Sequence, residues 1–222
     1  MSFDTFAPHY RWMEWVLAGG KLQRCRTACL KAVPQAENIL LLGEGNGRFL
    51  AICREQFPAA HITCVDSSLG MIHQARKRLQ RAGVSLHQTS FEHADILTWK
   101  SSLPGAYDLV VTNFFLDCFP TKQLEQIIQK VASITTAKAN WLLADFQAAE
   151  AGLKKLRSKL ILWIMYRFFR TFTKLPARKL IQPDPFLQAA GFGLVQGVQS
   201  EWGLLRSDWW QRTSTITPQP ES

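Results

Sequence analysis

Asn38-Ile39-Leu40-Leu41-Leu42-Gly43-Glu44-Gly45-Asn46-Gly47-Arg48-Phe49-Leu50 is the stretch that decides the fold. Ile39 to Leu42 is short, branched and apolar, as a strand buried on both faces requires. Gly43, Gly45 and Gly47 then let the main chain turn sharply and approach a ligand with no Cβ in the way. From Arg48 to Gln56 the apolar residues Phe49, Ile52 and Cys53 fall at helical spacing. Strand, glycine turn and helix start together predict a seat for a nucleotide-like ligand over exposed main-chain N–H groups. A tight turn with no ligand has the same residues, so the neighbouring segments must decide.

His61-Ile62-Thr63-Cys64-Val65-Asp66 reads as a second strand ending in an acid. Asp66 follows the glycines by about 20 residues, the separation at which a carboxylate accepts hydrogen bonds from ribose hydroxyls in a βαβ unit. Asp66 and Ser67 are also suited to cap the helix that starts near Leu69. Both roles are compatible with one position.

At this point the chain resembles the class I S-adenosylmethionine-dependent methyltransferases. The resemblance is carried by Leu42-Gly43-Glu44-Gly45-Asn46-Gly47, by Val65-Asp66-Ser67-Ser68 with Met71-Ile72 and Ala75-Arg76, by Ala94-Asp95-Ile96, and by Tyr107-Asp108-Leu109-Val110-Val111. The glycine spacing is GxGxG, where a dinucleotide fingerprint has GxGxxG. The resemblance implies S-adenosyl-L-methionine as cofactor and S-adenosyl-L-homocysteine as product. It implies cofactor contacts from Gly43, Glu44, Gly45, Asn46, Gly47, Asp66, Ser67 and Met71, from Ala94, Asp95 and Ile96 around the adenine, and from Asn113 near the transferred methyl group. The family often has an acid two residues before the first glycine, against the methionine amino group. Leu41 stands there, and Glu44 is the nearest carboxylate to take that role; a solvated loop charge is the alternative. The N-terminal stretch Phe3-Asp4-Thr5-Phe6-Ala7-Pro8-His9-Tyr10 is similar to the start of the ubiquinone and menaquinone biosynthesis type, where it covers the cofactor. A hydrophobic staple holding the first helix is the other reading of it.

The 222 residues are 47% hydrophobic, enough for one well-buried domain. The reading is a single domain over 1–212, with a helical cap at 1–35, a basic helical insertion at 153–183 and a polar tail at 213–222. Asp4 comes early and no basic start precedes an apolar core, so no signal peptide is expected. No apolar run approaches ~18 residues, so no membrane span is expected either. Five scattered cysteines without a CxxC pair are expected to be reduced core residues of a cytoplasmic protein, with no metal site. Lysine and arginine outnumber acids 26 to 17, and much of the excess lies between Lys154 and Lys179. That field attracts anionic partners. Leu156, Leu160, Trp163, Ile164 and Phe168 share a helical face there. Such a helix either roofs a substrate pocket or lies on an acidic membrane surface, which would make the protein peripheral.

Strand-like segments fall at Asn38–Leu42, His61–Val65, Ser85–Thr89, Tyr107–Thr112 and Ala139–Asp145. Helical segments fall at Thr5–Leu17, Gly20–Ala32, Arg48–Phe57, Leu69–Ala82 and Thr121–Ile134. The alternation predicts an α/β fold with a doubly wound, mostly parallel sheet. Phe186–Gly191 reads as a further helix, and Gly193–Val198 and Glu201–Arg206 as two closing strands of an antiparallel hairpin, seven in all. Ligands bind beyond the carboxyl ends of such strands. Glu44, Asp66, Asp95, Asn113 and Asp145 should meet there.

Asn113-Phe114-Phe115-Leu116 lacks the paired prolines that would signal methylation of base nitrogens. Two phenylalanines instead suit an apolar pocket, attraction of a sulfonium, or plain core packing. Displacement from a sulfonium needs alignment first, and a base only for an acceptor that holds its proton. His9, Asp117 and Asp145 are candidate bases, and Tyr10 and Tyr166 could orient a hydroxyl. The composite expectation is methyl transfer to a small hydrophobic or amphiphilic molecule, carried on an anionic group or drawn from a membrane. An RNA acceptor and a catalytically silent cofactor-binding scaffold are the alternatives. Nucleic acid is disfavoured because no recognition module or regular aromatic–basic interleaving is present.

Overall fold

A computed structural model describes residues 20–103, 105–147 and 180–213. The expected helix at Thr5–Leu17, the candidates His9 and Tyr10, nearly all of the basic insertion and most of the tail lie outside the described residues. The first described helix, α1 (Gly20–Thr27), is followed by a 3₁₀ turn at Leu30–Ala32. A single helix from Gly20 to Ala32 was expected. It stops early where the Thr27 hydroxyl donates back to the carbonyl of Gln23.

The alternation then follows as β1 (Asn38–Leu42), α2 (Arg48–Gln56), β2 (His61–Asp66), α3 (Leu69–Arg81), β3 (Thr89–His93), β4 (Tyr107–Asn113), α4 (Thr121–Ser133) and β5 (Thr135–Phe146). The chain closes with α5 (Asp184–Ala189), β6 (Phe192–Ser200) and β7 (Leu205–Arg212). The seven strands form one sheet in the order β3-β2-β1-β4-β5-β7-β6. β1 to β5 are parallel, and β7 runs antiparallel to both β5 and β6.

Two elements differ from the sequence expectation. The third strand is Thr89–His93, not Ser85–Thr89. Ser85 turns back to accept from the His87 N–H, and Gln88 is left-handed at φ 61°, so the chain is still turning there. The hairpin strands are longer than Gly193–Val198 and Glu201–Arg206. The span Glu201–Gly203 is a 3₁₀ turn, and Trp209 and Trp210 lie within β7.

Ile39 to Leu42 are essentially inaccessible, as their uninterrupted apolar run demands. Each contributes roughly 2 kcal/mol through the area it buries. Leu40 and Leu42 face a layer with Val110, Trp141, Leu143 and α4, while Ile39 and Leu41 face Phe49, Leu50, Cys53 and Leu109 on the other side. All five cysteines are free thiols, and burial pushes the Cys25 thiol up to about 12, so it is inert. No helix among the described residues is long and apolar enough to cross a membrane.

Gly47 brings α2 onto α3. At φ 79°, a Cβ there would lie 2.7 Å from the main-chain Cα of Ala75. Gly45 has a similar φ of 69°, but a Cβ there meets nothing within 4 Å. Gly47→Ala should therefore cost about 3 kcal/mol, from strain plus overpacking, and Gly45→Ala only about 1–2 kcal/mol, from strain alone. Urea unfolding of the two variants checks the ranking.

Candidate active site

The parallel register brings the carboxyl ends of β1 to β5 to one edge of the sheet, with the Gly43–Gly47 turn at the centre. The turn is shaped by three left-handed glycines, and the space in front of Gly45 is open. Its donors are not arranged as expected. The Gly43 N–H bonds the Val65 carbonyl at 2.9 Å, and the Gly45 N–H bonds Asp66 Oδ2 at 3.1 Å. For these two residues the turn offers room to a ligand rather than open N–H groups.

Asp66 ends β2 beside this turn. Its Oδ1 accepts from the Ser68 N–H at 2.9 Å, and its carbonyl accepts from the Ala94 N–H at 3.1 Å. The acid thus ties together the tips of three neighbouring strands. The cap of α3 is Ser68, whose Oγ accepts from the Met71 N–H at 3.2 Å, and not Asp66 or Ser67. Ser67 contributes its carbonyl to His93 Nε2 at 3.1 Å.

Glu44 is not a solvated loop charge. Its Oε1 accepts from the N–H groups of Phe49 and Leu50 at 3.0 and 2.8 Å, closing the start of α2. Burial pushes its carboxyl up to about 7, against the pull of those donors and of the nearby Arg26 guanidinium. Leu41, where an acid would stand in the resembling family, is buried in the sheet core.

On the adenine side, Asp95 is exposed and accepts from the Leu97 N–H at 2.9 Å in a tight turn, while Ile96 is buried in the core. Ala94 is half-buried between them. Met71 is 8% exposed under the turn, and Asn46 is also buried. At the tip of β4 the Asn113 side chain is buried, yet neither its Oδ1 nor its Nδ2 has a partner. Such an orphaned amide is costly unless a ligand completes it.

Phe114 follows at φ 54°, an outlying conformation for a bulky residue. Its ring packs on Phe146 at 5.0 Å between centroids, and the Arg26 guanidinium lies 5.3 Å above it. The sequence reading passed over Arg26. It carries no local signal of its own, being one of three cations in α1. Phe115 turns the other way, where a Cβ on Gly43 would meet its ring at 2.3 Å.

Asp117 and Asp145 are both buried, and each acts on the other's ionisation. Burial pushes Asp117 up to about 6, and burial together with the neighbouring Asp117 charge pushes Asp145 well above the usual carboxylate range. The two hold a proton between them, as close carboxyls do. Behind them Arg206 clasps Asp184 through two bonds of 2.7 and 2.8 Å and also pairs with Asp208. Among the described residues, no group of three His, Cys, Asp or Glu side chains is placed to hold a metal ion.

Residues 39–138 match the family model described as a methyltransferase domain. A trans-aconitate 2-methyltransferase from Escherichia coli O1:K1 is 37% identical over 84 residues, which is 38% of this chain and 30% of that protein. A malonyl-[acyl-carrier protein] O-methyltransferase from a Paenibacillus species is 30% identical over 114 residues, 50% of this chain and 39% of that one. A ubiquinone/menaquinone biosynthesis C-methyltransferase from Desulfotalea psychrophila is 32% identical over 84 residues, 37% and 34% of the two chains. The matches span about a third of the length of these curated relatives. Among solved structures, the 1,6-didemethyltoxoflavin N1-methyltransferase of Burkholderia thailandensis aligns over 95% of this chain and 85% of its own, with TM-score 0.67 and 15% identity. Residues 39–138 thus resemble a methyltransferase domain, and the chain shares its fold with solved methyltransferases, one of them holding S-adenosylhomocysteine, so S-adenosylmethionine is the implied cofactor.

The residues present suit that cofactor: open space at a left-handed glycine, an acid one strand away, and an unsatisfied buried amide opposite.

The raised carboxyls set a pH dependence of stability. Folded Asp117 keeps its proton to about pH 6, whereas the unfolded chain releases it near 3.8. Stability from this group is fully present below about pH 4 and is lost as pH rises through 6, a change on the order of 3 kcal/mol. Asp117→Asn should therefore raise the unfolding temperature at pH 8 and leave it nearly unchanged at pH 4. Scanning calorimetry at the two pH values reads the difference.

Proposed function

We propose that this chain transfers a methyl group from S-adenosylmethionine to a small hydrophobic or amphiphilic acceptor. The observation that carries the reading is the open space at Gly45, with the Asp66 carboxylate bonded to its N–H and the unpartnered Asn113 amide on the same edge of the sheet. In it Asp66 would hold the ribose, Ala94, Asp95 and Ile96 would border the adenine, and the Arg26 guanidinium would face the methionine carboxylate. Asn113 would bond the methionyl end or the acceptor with the amide atoms that are otherwise unpaired.

The bound cofactor supplies an electrophilic methyl on a sulfonium centre. This chain's own residues supply alignment and dryness. Phe114 and Phe146 form an apolar wall at the tips of β4 and β5, which excludes water and favours an acceptor with apolar surface. Support for a small or carrier-bound acceptor comes from the relatives, whose names specify aconitate, a small molecule, and a malonyl group held on acyl carrier protein. On this reading Asp117 and Asp145 would be the groups that take the proton of a hydroxyl or amine acceptor. Asp117, at about 6, is ionised at neutral pH and able to take it.

Titration calorimetry with S-adenosylhomocysteine tests the cofactor reading. One site is expected, and Asp66→Ala should weaken it about 10- to 100-fold, the worth of hydrogen bonds to a charged group. Absence of heat with the wild-type chain would reject the proposal. With an acceptor in hand, the rate should rise with pH through about 6, and Asp117→Asn should abolish that limb.

A further inference from the structure

We infer that the open cavity lined by Arg54, Pro58, Ser85, His87 and Gln88 is a second binding site, one that takes a small phosphate-type oxyanion. It lies away from the glycine turn, and the inference does not rest on the methyl-transfer reading above.

The cavity opens between the end of α2 and the loop that enters β3. Both stand where the parallel strands begin, opposite the edge that carries Gly45, Asp66 and Asn113. Its volume is about 240 Å³. Sites for drug-sized ligands run to roughly 300–1,000 Å³, and one water takes ~30 Å³. The space therefore suits a small ion with part of its hydration, not a nucleoside.

Arg54 supplies the charge. It sits in the last turn of α2 and is only 6% exposed. Its two terminal nitrogens donate to the carbonyls of Phe57, Pro58, Ala60 and Gln88 and to the Thr89 hydroxyl. The bonds to Gln88 and Thr89 are long, at 3.3 and 3.4 Å, and the Nε–H makes none of the five. A basic residue commonly caps a helix C-terminus in this way. Every one of these acceptors is neutral, so the bonds satisfy direction without cancelling charge. Among the described residues no carboxylate forms an ion pair with Arg54, whereas Arg206, buried to the same degree, has both Asp184 and Asp208. Burial accordingly pulls the Arg54 guanidinium below its ordinary pKa. Buried charges are normally paired, and a cavity beside an unpaired cation is the place for an anion.

The other wall supplies further donors. Ser85, His87 and Gln88 are exposed polar residues of one short loop. The His87 main-chain N–H donates to Ser85 Oγ, which leaves the imidazole itself for a ligand. Gln88 is left-handed at φ 61°, and its carbonyl is shared between Arg54 and the Ile62 N–H. Strain of this kind persists where the surroundings over-determine it, and it gathers at ligand sites. Donors from a helix on one side and a loop on the other surround a tetrahedral oxyanion. A planar carboxylate needs only a fork in one plane. The formal charge of +9 draws anions to the chain in general, and this cavity gives one of them a fixed seat.

The test is a chemical-shift titration of the ¹⁵N-labelled full chain with inorganic phosphate, the ionic strength being held constant with chloride. The amide signals of Ser85, His87 and Gln88 should move saturably with a Kd of about 1 mM, and those of residues 43–47 should not move. Saturating S-adenosylhomocysteine should leave that Kd unchanged. His87→Ala should keep the unfolding temperature measured without phosphate and weaken phosphate about tenfold, the worth of one charge-assisted hydrogen bond. Arg54→Met should abolish binding but also loosens the end of α2, so His87→Ala decides. Glycerol 3-phosphate binding as tightly as phosphate would assign the site to the terminal phosphate of a small ester, and phosphate alone would assign it to the free ion. No saturable shift at residues 85–88, equal affinity in His87→Ala, competition with S-adenosylhomocysteine, or acetate binding as tightly as phosphate would each overturn the inference.

Discussion

One carboxylate holds the reactive edge of the sheet together. Asp66 bonds Gly45 of the turn after β1 with one oxygen and Ser68 at the start of α3 with the other, while its carbonyl receives Ala94 from the loop after β3. Three strand tips that are far apart in the sequence are thereby fixed relative to one another. The glycine turn keeps its shape because its left-handed residues are restrained from this side and by Glu44 at the start of α2. A nucleoside that entered the crevice would meet a formed site rather than have to order it, which lowers the entropic cost of binding.

The same edge accumulates features that stability alone disfavours. Asp117 and Asp145 are buried with raised carboxyls, Asn113 has an unpaired buried amide, and Phe114, Glu201 and Trp202 are left-handed. Each is costly in a chain whose net stability is a small difference of large terms. The opposite ends of β1, β2 and β4 are tied by side chains bonded to the main chain, although His61 Nδ1 and the Tyr107 hydroxyl there are also unpartnered. There Asp108 accepts from the Glu37 and Asn38 N–H groups, and Arg54 donates to the carbonyls of Phe57, Pro58 and Ala60.

Much of this could be read from the residues. The apolar run Ile39–Leu42, the glycines after it and the acid at the end of the next strand are local signals, and local signals specify strand, turn and helix start. The third strand was misplaced because Ser85–Thr89 carries strand-forming residues, while the strand is set by pairing with Ile62–Asp66, a long-range constraint. For Glu44 the sequence gives the neighbours but not the direction of the side chain, whose Oε1 turns to the N–H groups of Phe49 and Leu50. Arg26 was invisible as a site residue, since only the docking of α1 brings its guanidinium over Phe114. The left-handed turn at Trp202 was read as the start of a strand; the glycine at 203 was its one local sign.

The most direct test is a crystal structure of the chain with S-adenosylhomocysteine. The account predicts the ligand's main-chain contacts at residues 43–47 and its ribose hydroxyls within hydrogen-bond distance of the Asp66 carboxylate. A ligand bound elsewhere, or one seated at the turn with its ribose away from Asp66, would contradict it.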